Sequence, residues 1–225
     1  MQLRLLLSLP VRVLMIMKSF EGTDNIVVVT ITGTLSGSYN SAEIAKKIYL
    51  EEYPDTKIHV IDSLSAGGEV DLIVRKLNHL VAEGLDFDQV VDGITAYQAK
   101  TKLLFVLAKV DNLVKNGRLS KLVGTVVGLL NIRMVGEASK TGTLELLQKA
   151  RGQKKAIKAA FDELLKAGYA GGHITIAHRN NEKFIEQFSE LVREKFAQAS
   201  IEVLPTSGLC SFYAEEGGLL MGYEI

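Results

Sequence analysis

The sequence predicts an α/β protein in two parts, an N-terminal α/β/α unit built on a parallel sheet and a C-terminal α/β unit built on a mixed sheet. Three observations carry this expectation. Up to about residue 95, short β-branched runs alternate with amphipathic helical stretches, the pattern of a parallel sheet with covering helices. Beyond about residue 100 the strand-like runs fall at mixed spacing, with an Asn116-Gly117 turn and a strand–turn–strand pattern over 131–147. And 47% of the 225 residues are hydrophobic, enough to bury a sizeable core. The boundary is placed near residue 95, giving units 1–95 and 96–225.

Taken in order, Asn25–Ile31 reads as a buried strand, a β-branched run bounded by Gly22 and Gly33. Ser41–Tyr53 reads as a helix stopped at Pro54, and Lys57–Asp62 as a second strand. Gly68–Glu83 places Val70, Ile73, Leu77 and Leu80 on one helical stripe, with Gly84 as its C-cap. Phe87–Lys102 is expected to be a further helix and Lys102–Ala108 a strand. The stretch Leu122–Val135 is apolar, with glycines at 124 and 128. Gln153–Lys166 and Asn181–Gln198 are amphipathic helices flanking the strand His173–His178. "SIEVLP" and "GGLLMGYEI" supply the last strands.

Composition narrows the function. With 26 basic and 26 acidic residues there is no basic surface for nucleic acid. Cys210 is the single cysteine, so no intrachain disulfide forms, in keeping with a reducing cytoplasm. "LLLSLPV", between Arg4 and Arg12, is far short of the roughly 20 residues that cross a bilayer, and no small-residue cleavage site follows it. An irregular start feeding a helix near Leu14–Phe20 is expected instead, with no stable membrane insertion.

The segment with most chemistry is "ITGTLSGSYNSA", which follows the first strand. A Gly-rich turn at the carboxyl end of a buried parallel strand aims backbone N–H groups outward, and the following helix adds its unpaired amides. Hydroxyls of Thr34, Ser36 and Ser38 add donors. An anion or a carbonyl oxygen is the natural guest; the competing reading is a helix start whose Ser and Thr serve as turn and capping residues. No phosphate-loop lysine, dinucleotide fingerprint or G-x-S-x-G elbow is present. His59, His79 and His173 lack metal-ligand spacing. His178 lies at a strand's carboxyl end, and Arg118 beside the Asn-Gly turn suits either an exposed turn or an anion clamp. Cys210 reads as a small core residue.

"TGTLSGSYNSA", "VIDSLSAGGEVDLIV", "NLVKNGRLSK", "GLLNIRMV" and "GGLLMGYE" occur in the order found in the DegV family, and the chain resembles that family from about residue 18 to 225. The S-G-[ST]-Y-x-S-A and N-G-R-[LI]-S segments together are specific. The resemblance implies a bacterial fatty-acid-binding protein, the lipid-carrying subunit of fatty acid kinase, that holds a long-chain fatty acid between two domains. Ser36 matches the family serine on the carboxylate, Gly37 its neighbour and Arg118 the head-group arginine. Tyr213 of "YAEEG" stands where many members have histidine. The family's T-S-x-P-S segment is matched here by Leu7-Ser8-Leu9-Pro10-Val11, and its first strand and helix have no counterpart, so an altered or shortened start is expected. The implied site is Thr34, Ser36, Gly37, Ser38, Arg118 and Tyr213. The protein is then expected to be a cytoplasmic non-enzyme without cofactor or metal, partnered by a kinase catalytic subunit. The alternatives are a small acyl transferase or hydrolase using Ser36, and a sensor of phosphate or sugar phosphate.

Overall fold

The computed structural model describes residues 10–20, 22–119 and 131–225. Leu7, and the part of the apolar stretch from 122 to 130, lie outside the described residues. Helix α1 spans Pro10–Lys18, earlier than the expected Leu14–Phe20, because proline suits a first helical turn, where its missing N–H costs nothing. Strands β1 (Asn25–Thr30) and β2 (Lys57–Asp62) pair in parallel from Asn25 opposite Lys57 to Thr30 opposite Asp62. Helix α2 (Ser38–Glu52) begins one turn before the expected Ser41, straight out of the Ser/Thr/Gly loop. It buries Ala45 and Tyr49 with Met17 of α1 and Ile26 and Ile58 of the strands.

The other face of this small sheet is covered by α3 (Gly68–Ala82) and α4 (Phe87–Gln98), where Ile61, Ile73, Leu80, Val90 and Ile94 form one cluster. A reciprocal capping box between Asp86 and Gln89 starts α4. The helix expected to reach Lys102 stops at Gln98, because Thr101 and Lys102 already pair with Glu224 and Tyr223 as the start of β3 (Thr101–Leu107).

After β3 come a short α5 (Asp111–Lys115), β4 (Ile132–Ala138), β5 (Leu144–Arg151), α6 (Gln153–Lys166), β6 (His173–His178), α7 (Glu182–Lys195), β7 (Ser200–Pro205), α8 (Gly208–Ala214) and β8 (Leu219–Glu224). The six later strands form a mixed sheet in the order β5-β4-β3-β8-β6-β7, antiparallel throughout except between β6 and β7. On one face, α6 and α7 bury Leu104, Val106, Val135, Ile176, Phe184 and Phe188. On the opposite face lie Phe105, Leu107, Leu113, Met134 and Ala214. The expectation of a parallel-sheet part followed by a mixed-sheet part is met. Residue 95 falls inside α4, and the change of sheet comes between β2 and β3.

Helix α3 joins the two sheets. A side chain at Gly68 would put its Cβ 2.1 Å from the Thr175 carbonyl oxygen, and one at Gly222 would put it 2.3 Å from the Glu69 nitrogen. The first turn of α3 therefore rests backbone to backbone on β8. Next to this contact Glu69 is buried and accepts a hydrogen bond from the Thr101 hydroxyl at 2.8 Å. Burial raises its pKa, against the opposing pull of the Ser65 and Thr101 hydroxyls and Lys102. A carboxyl held protonated longer in the folded state stabilises most below its unfolded pKa, and that stability is lost as pH rises through the raised value. Denaturant midpoints of the wild type, followed as pH rises above the ordinary carboxylate range, should show the loss of this contribution. Glu69→Gln should flatten that segment of the profile; an unchanged slope would remove Glu69 as its source.

Candidate functional site

The Thr32–Ser38 loop is fixed by its own sheet before anything else touches it. The Asp62 carboxylate, at the end of β2, accepts the Gly33 N–H at 3.1 Å and the Leu64 N–H at 3.0 Å. The Thr32 N–H donates to the Ser65 carbonyl at 2.8 Å, and the Leu35 and Ser36 N–H groups close onto the Thr32 carbonyl. No side chain caps α2, whose N-cap is Gly37. Ser36 instead acts as a turn residue: its Oγ accepts the Ser38 N–H at 3.3 Å and meets Ser38 Oγ at 3.0 Å. The helix thus presents its amino end with two hydroxyls beside it, which suits a negative charge.

Two contacts tie this loop to the six-stranded sheet. The hydroxyls of Thr32 and Thr34 both donate to the Gly142 carbonyl, at 3.0 and 2.7 Å. Gly142 sits at the tip of the β4–β5 hairpin with φ +77, and a Cβ there would fall 2.1 Å from Thr32 Oγ1. The second contact comes from Arg118. Gly117, with φ +68, ends α5: its N–H donates to the Val114 carbonyl and the Arg118 N–H to the Leu113 carbonyl, the paired bonds of a Schellman cap. That cap points the guanidinium across, where Nε donates to the Leu35 carbonyl at 3.2 Å and Nη1 to the Asn116 carbonyl.

Between these two contacts lies an apolar cavity of about 70 Å³. The loop contributes Thr32 and Leu35; the sheet and hairpin contribute Phe105, Leu107, Leu144 and Leu220. Helix α8 adds Leu209, Cys210 and Tyr213, while Ala66 and Arg118 complete the wall. Of the residues singled out by sequence, Arg118 and Tyr213 line the cavity. Thr34, Ser36, Gly37 and Ser38 belong to the same loop as Thr32 and Leu35 but do not line the cavity, and the Thr34 hydroxyl is engaged by Gly142. Burial pushes the Cys210 thiol up, away from the thiolate, consistent with packing.

Sequence reasoning passed over Leu35, Leu144, Leu209 and Gly142. For Leu144 a signal existed, because "TLELLQKA" alternates. A register shift between Val135 and Gly136 lets Leu144 and Leu146 pack on the Phe105 side of the sheet, where Leu144 lines the cavity, while Ala150 faces α6. The histidines take no part. His178 accepts the Asn181 N–H at 3.2 Å, His79 sits 3.4 Å from Glu83, and none hydrogen-bonds Ser36 among the described residues. No group of side chains suited to a metal occurs among the described residues. A second, open cleft of about 960 Å³ lies beyond the hairpin, lined by Asp62, Glu69, Lys102, Lys140 and Glu145. It is larger, but its charged walls would oppose an apolar guest.

A family model described as "Uncharacterised protein, DegV family" matches residues 12–223. The chain belongs to the DegV family. This DegV protein is 77% identical over 209 residues to a DegV domain-containing protein of Streptococcus pneumoniae strain R6, spanning 93% of this chain and 74% of the relative. Among solved structures it is similar to the S. pneumoniae Fatty Acid Kinase (Fak) B3 protein loaded with linoleic acid, at TM-score 0.92 and 75% identity, over 96% of this chain and 76% of that one. It is also similar to a DegV family protein of Eubacterium eligens loaded with heptadecanoic acid, at TM-score 0.89 and 38% identity, over 96% and 77% of the two chains.

Proposed function

We propose that this DegV protein is a fatty-acid carrier. It holds a long-chain fatty acid between its two sheets and presents the carboxylate to the catalytic subunit of a fatty acid kinase. The observation that carries this reading is the apolar cavity with Arg118 in its wall and Thr32 and Leu35 of the Ser/Thr-rich loop beside it: greasy walls for a tail, a cation and nearby donors for a head group. Ser36, Gly37 and Ser38 meet the carboxylate, with Thr34 holding the loop and Tyr213 in the wall. In this reading the fatty acid lies between the two units expected at 1–95 and 96–225. The relatives loaded with linoleic and heptadecanoic acids support the same ligand class.

In this reading the protein is no enzyme by itself, needs no cofactor and works in the cytoplasm. No described helix is long and apolar enough to cross a membrane. The cavity has room for about five or six water molecules, so a long chain must part the walls on entry. Each methylene buried returns about 0.8 kcal/mol, which offsets that widening.

The test is organic extraction of the purified protein followed by mass spectrometry, with added palmitate and oleate titrated into stripped protein. Stoichiometric fatty acid, and no acyl phosphate from ATP until a cognate kinase subunit is added, is the expected result. No extracted lipid and no binding of either acid would end the carrier reading; acyl phosphate from the isolated protein would end its non-enzymatic part.

A further inference from the structure

The apolar cavity and the open charged cleft are neighbours, and three elements pass from one to the other within a residue or two. Ala66 lines the cavity and Leu64 the cleft, while Leu144 lines the cavity and Glu145 the cleft. Phe105 lines the cavity, and Leu103, the next residue on that face of β3, lines the cleft. Of the three side chains on the cavity side, Phe105 is the largest, and it is 1% exposed.

The ring is fixed from behind. Phe105 shares one cross-strand row with Gly136 of β4 and Leu220 of β8, so its backbone is paired on both sides. Gly136 offers no side chain, and the ring leans over it: a Cβ there would stand 2.3 Å from Phe105 Cζ and 2.8 Å from Cε2. The Glu145 carbonyl oxygen bounds the same gap, 2.2 Å from that Cβ. On the other side, Leu220 is backed by Gly67, where a Cβ would fall 2.7 Å from the Leu220 Cβ. Leu35 and Leu209 stand instead on the loop and on the short α8, outside the sheet, and these are the walls a guest can part. A tail that starts at Arg118 runs back along β3 past Leu107 and meets Phe105. Beyond the ring lies the cleft, with Asp62, Glu69, Lys102 and Glu145 in its walls, where further methylenes leave the apolar surroundings that favour their burial.

We infer that Phe105 determines specificity for acyl length. Its ring closes the cavity against the cleft and sets the longest tail that is wholly buried, and Gly136 is the positioning residue that seats the ring. This rests on the carrier reading and adds where the tail ends.

The test is competition equilibrium dialysis of the stripped full chain against a mixture of saturated acids from decanoic to icosanoic, with the bound acids counted by mass spectrometry. In the wild type, affinity should rise about fourfold per methylene up to one length and then level off. Phe105→Leu should move that break at least two methylenes later, so that the longer acids gain about tenfold or more over the acid at the wild-type break. Acids shorter than the break should keep their relative affinities. If the leucine variant does not fold, Phe105→Met reads the same shift, because its unbranched thioether can yield to a longer tail. An unchanged break would overturn the assignment and leave the carrier reading standing, as would an equal loss at every length, which marks the ring as core packing alone. A wild type that binds no acid of any length would end both.

Discussion

Gly222→Ala should lower stability by about 3 kcal/mol or more, the upper range for overpacking a core. The added methyl would stand 2.3 Å from the Glu69 nitrogen and 2.4 Å from its Cα. Neither atom can rotate away, because both belong to the first turn of α3. On the facing side, Gly68 has the Thr175 carbonyl oxygen and the Gly222 nitrogen in the same position. The helix must retreat from β8, and the Thr101 hydrogen bond to Glu69 lengthens with it. For a chain of this size, melting should fall by roughly 6–12 °C. Gly68→Ala should cost a similar amount, and the double variant less than the sum, since one retreat relieves both clashes. Melting curves of the three variants decide the matter; a Gly222→Ala melt within a degree of wild type would mean the helix does not bear on the sheet.

Ala66→Phe should lower affinity for a long-chain fatty acid by about 100-fold or more, the largest expected effect on binding. Ala66 lines the apolar cavity, and a ring there would occupy space that several methylenes would otherwise fill, at about 0.8 kcal/mol each. The loss should grow with acyl chain length, because a shorter tail needs less of the cavity. Ser36→Ala is expected to behave differently. It removes one hydrogen bond to a charged head group, about 1.5–3 kcal/mol, by the same factor for every chain length. Titrating laurate, palmitate and oleate into both variants separates tail from head. A length-independent loss in Ala66→Phe would mean that the tail lies elsewhere.

The strands of the parallel pair and the long helices α6 and α7 were legible because their apolar periods are strong. α5 and α8 were not, since Asp111–Lys115 and Gly208–Ala214 are too short to show a period. The boundary at Thr101 is not legible locally, because "AYQAKTKLLF" suits a helix, while pairing with β8, far along the chain, decides it. At the candidate site, the Ser/Thr-rich loop and Arg118 could be singled out, but their neighbours could not. That Thr34 bonds the carbonyl of Gly142, 108 residues away, is a matter of tertiary packing that no local spacing encodes.

The strand order has a consequence for how the molecule is made. β8 follows the other seven described strands in sequence, yet it lies between β3 and β6 in the centre of the larger sheet. While the chain emerges from a ribosome, β5-β4-β3 and β6-β7 can form only as separate pieces with bare inner edges. The α3 seat on Gly222 is also missing until that last strand arrives. Closure is thus the final step of folding and depends on contacts of long sequence separation, which makes it slow. Until then the open edges of β3 and β6 are where a nascent chain would meet a chaperone or another chain.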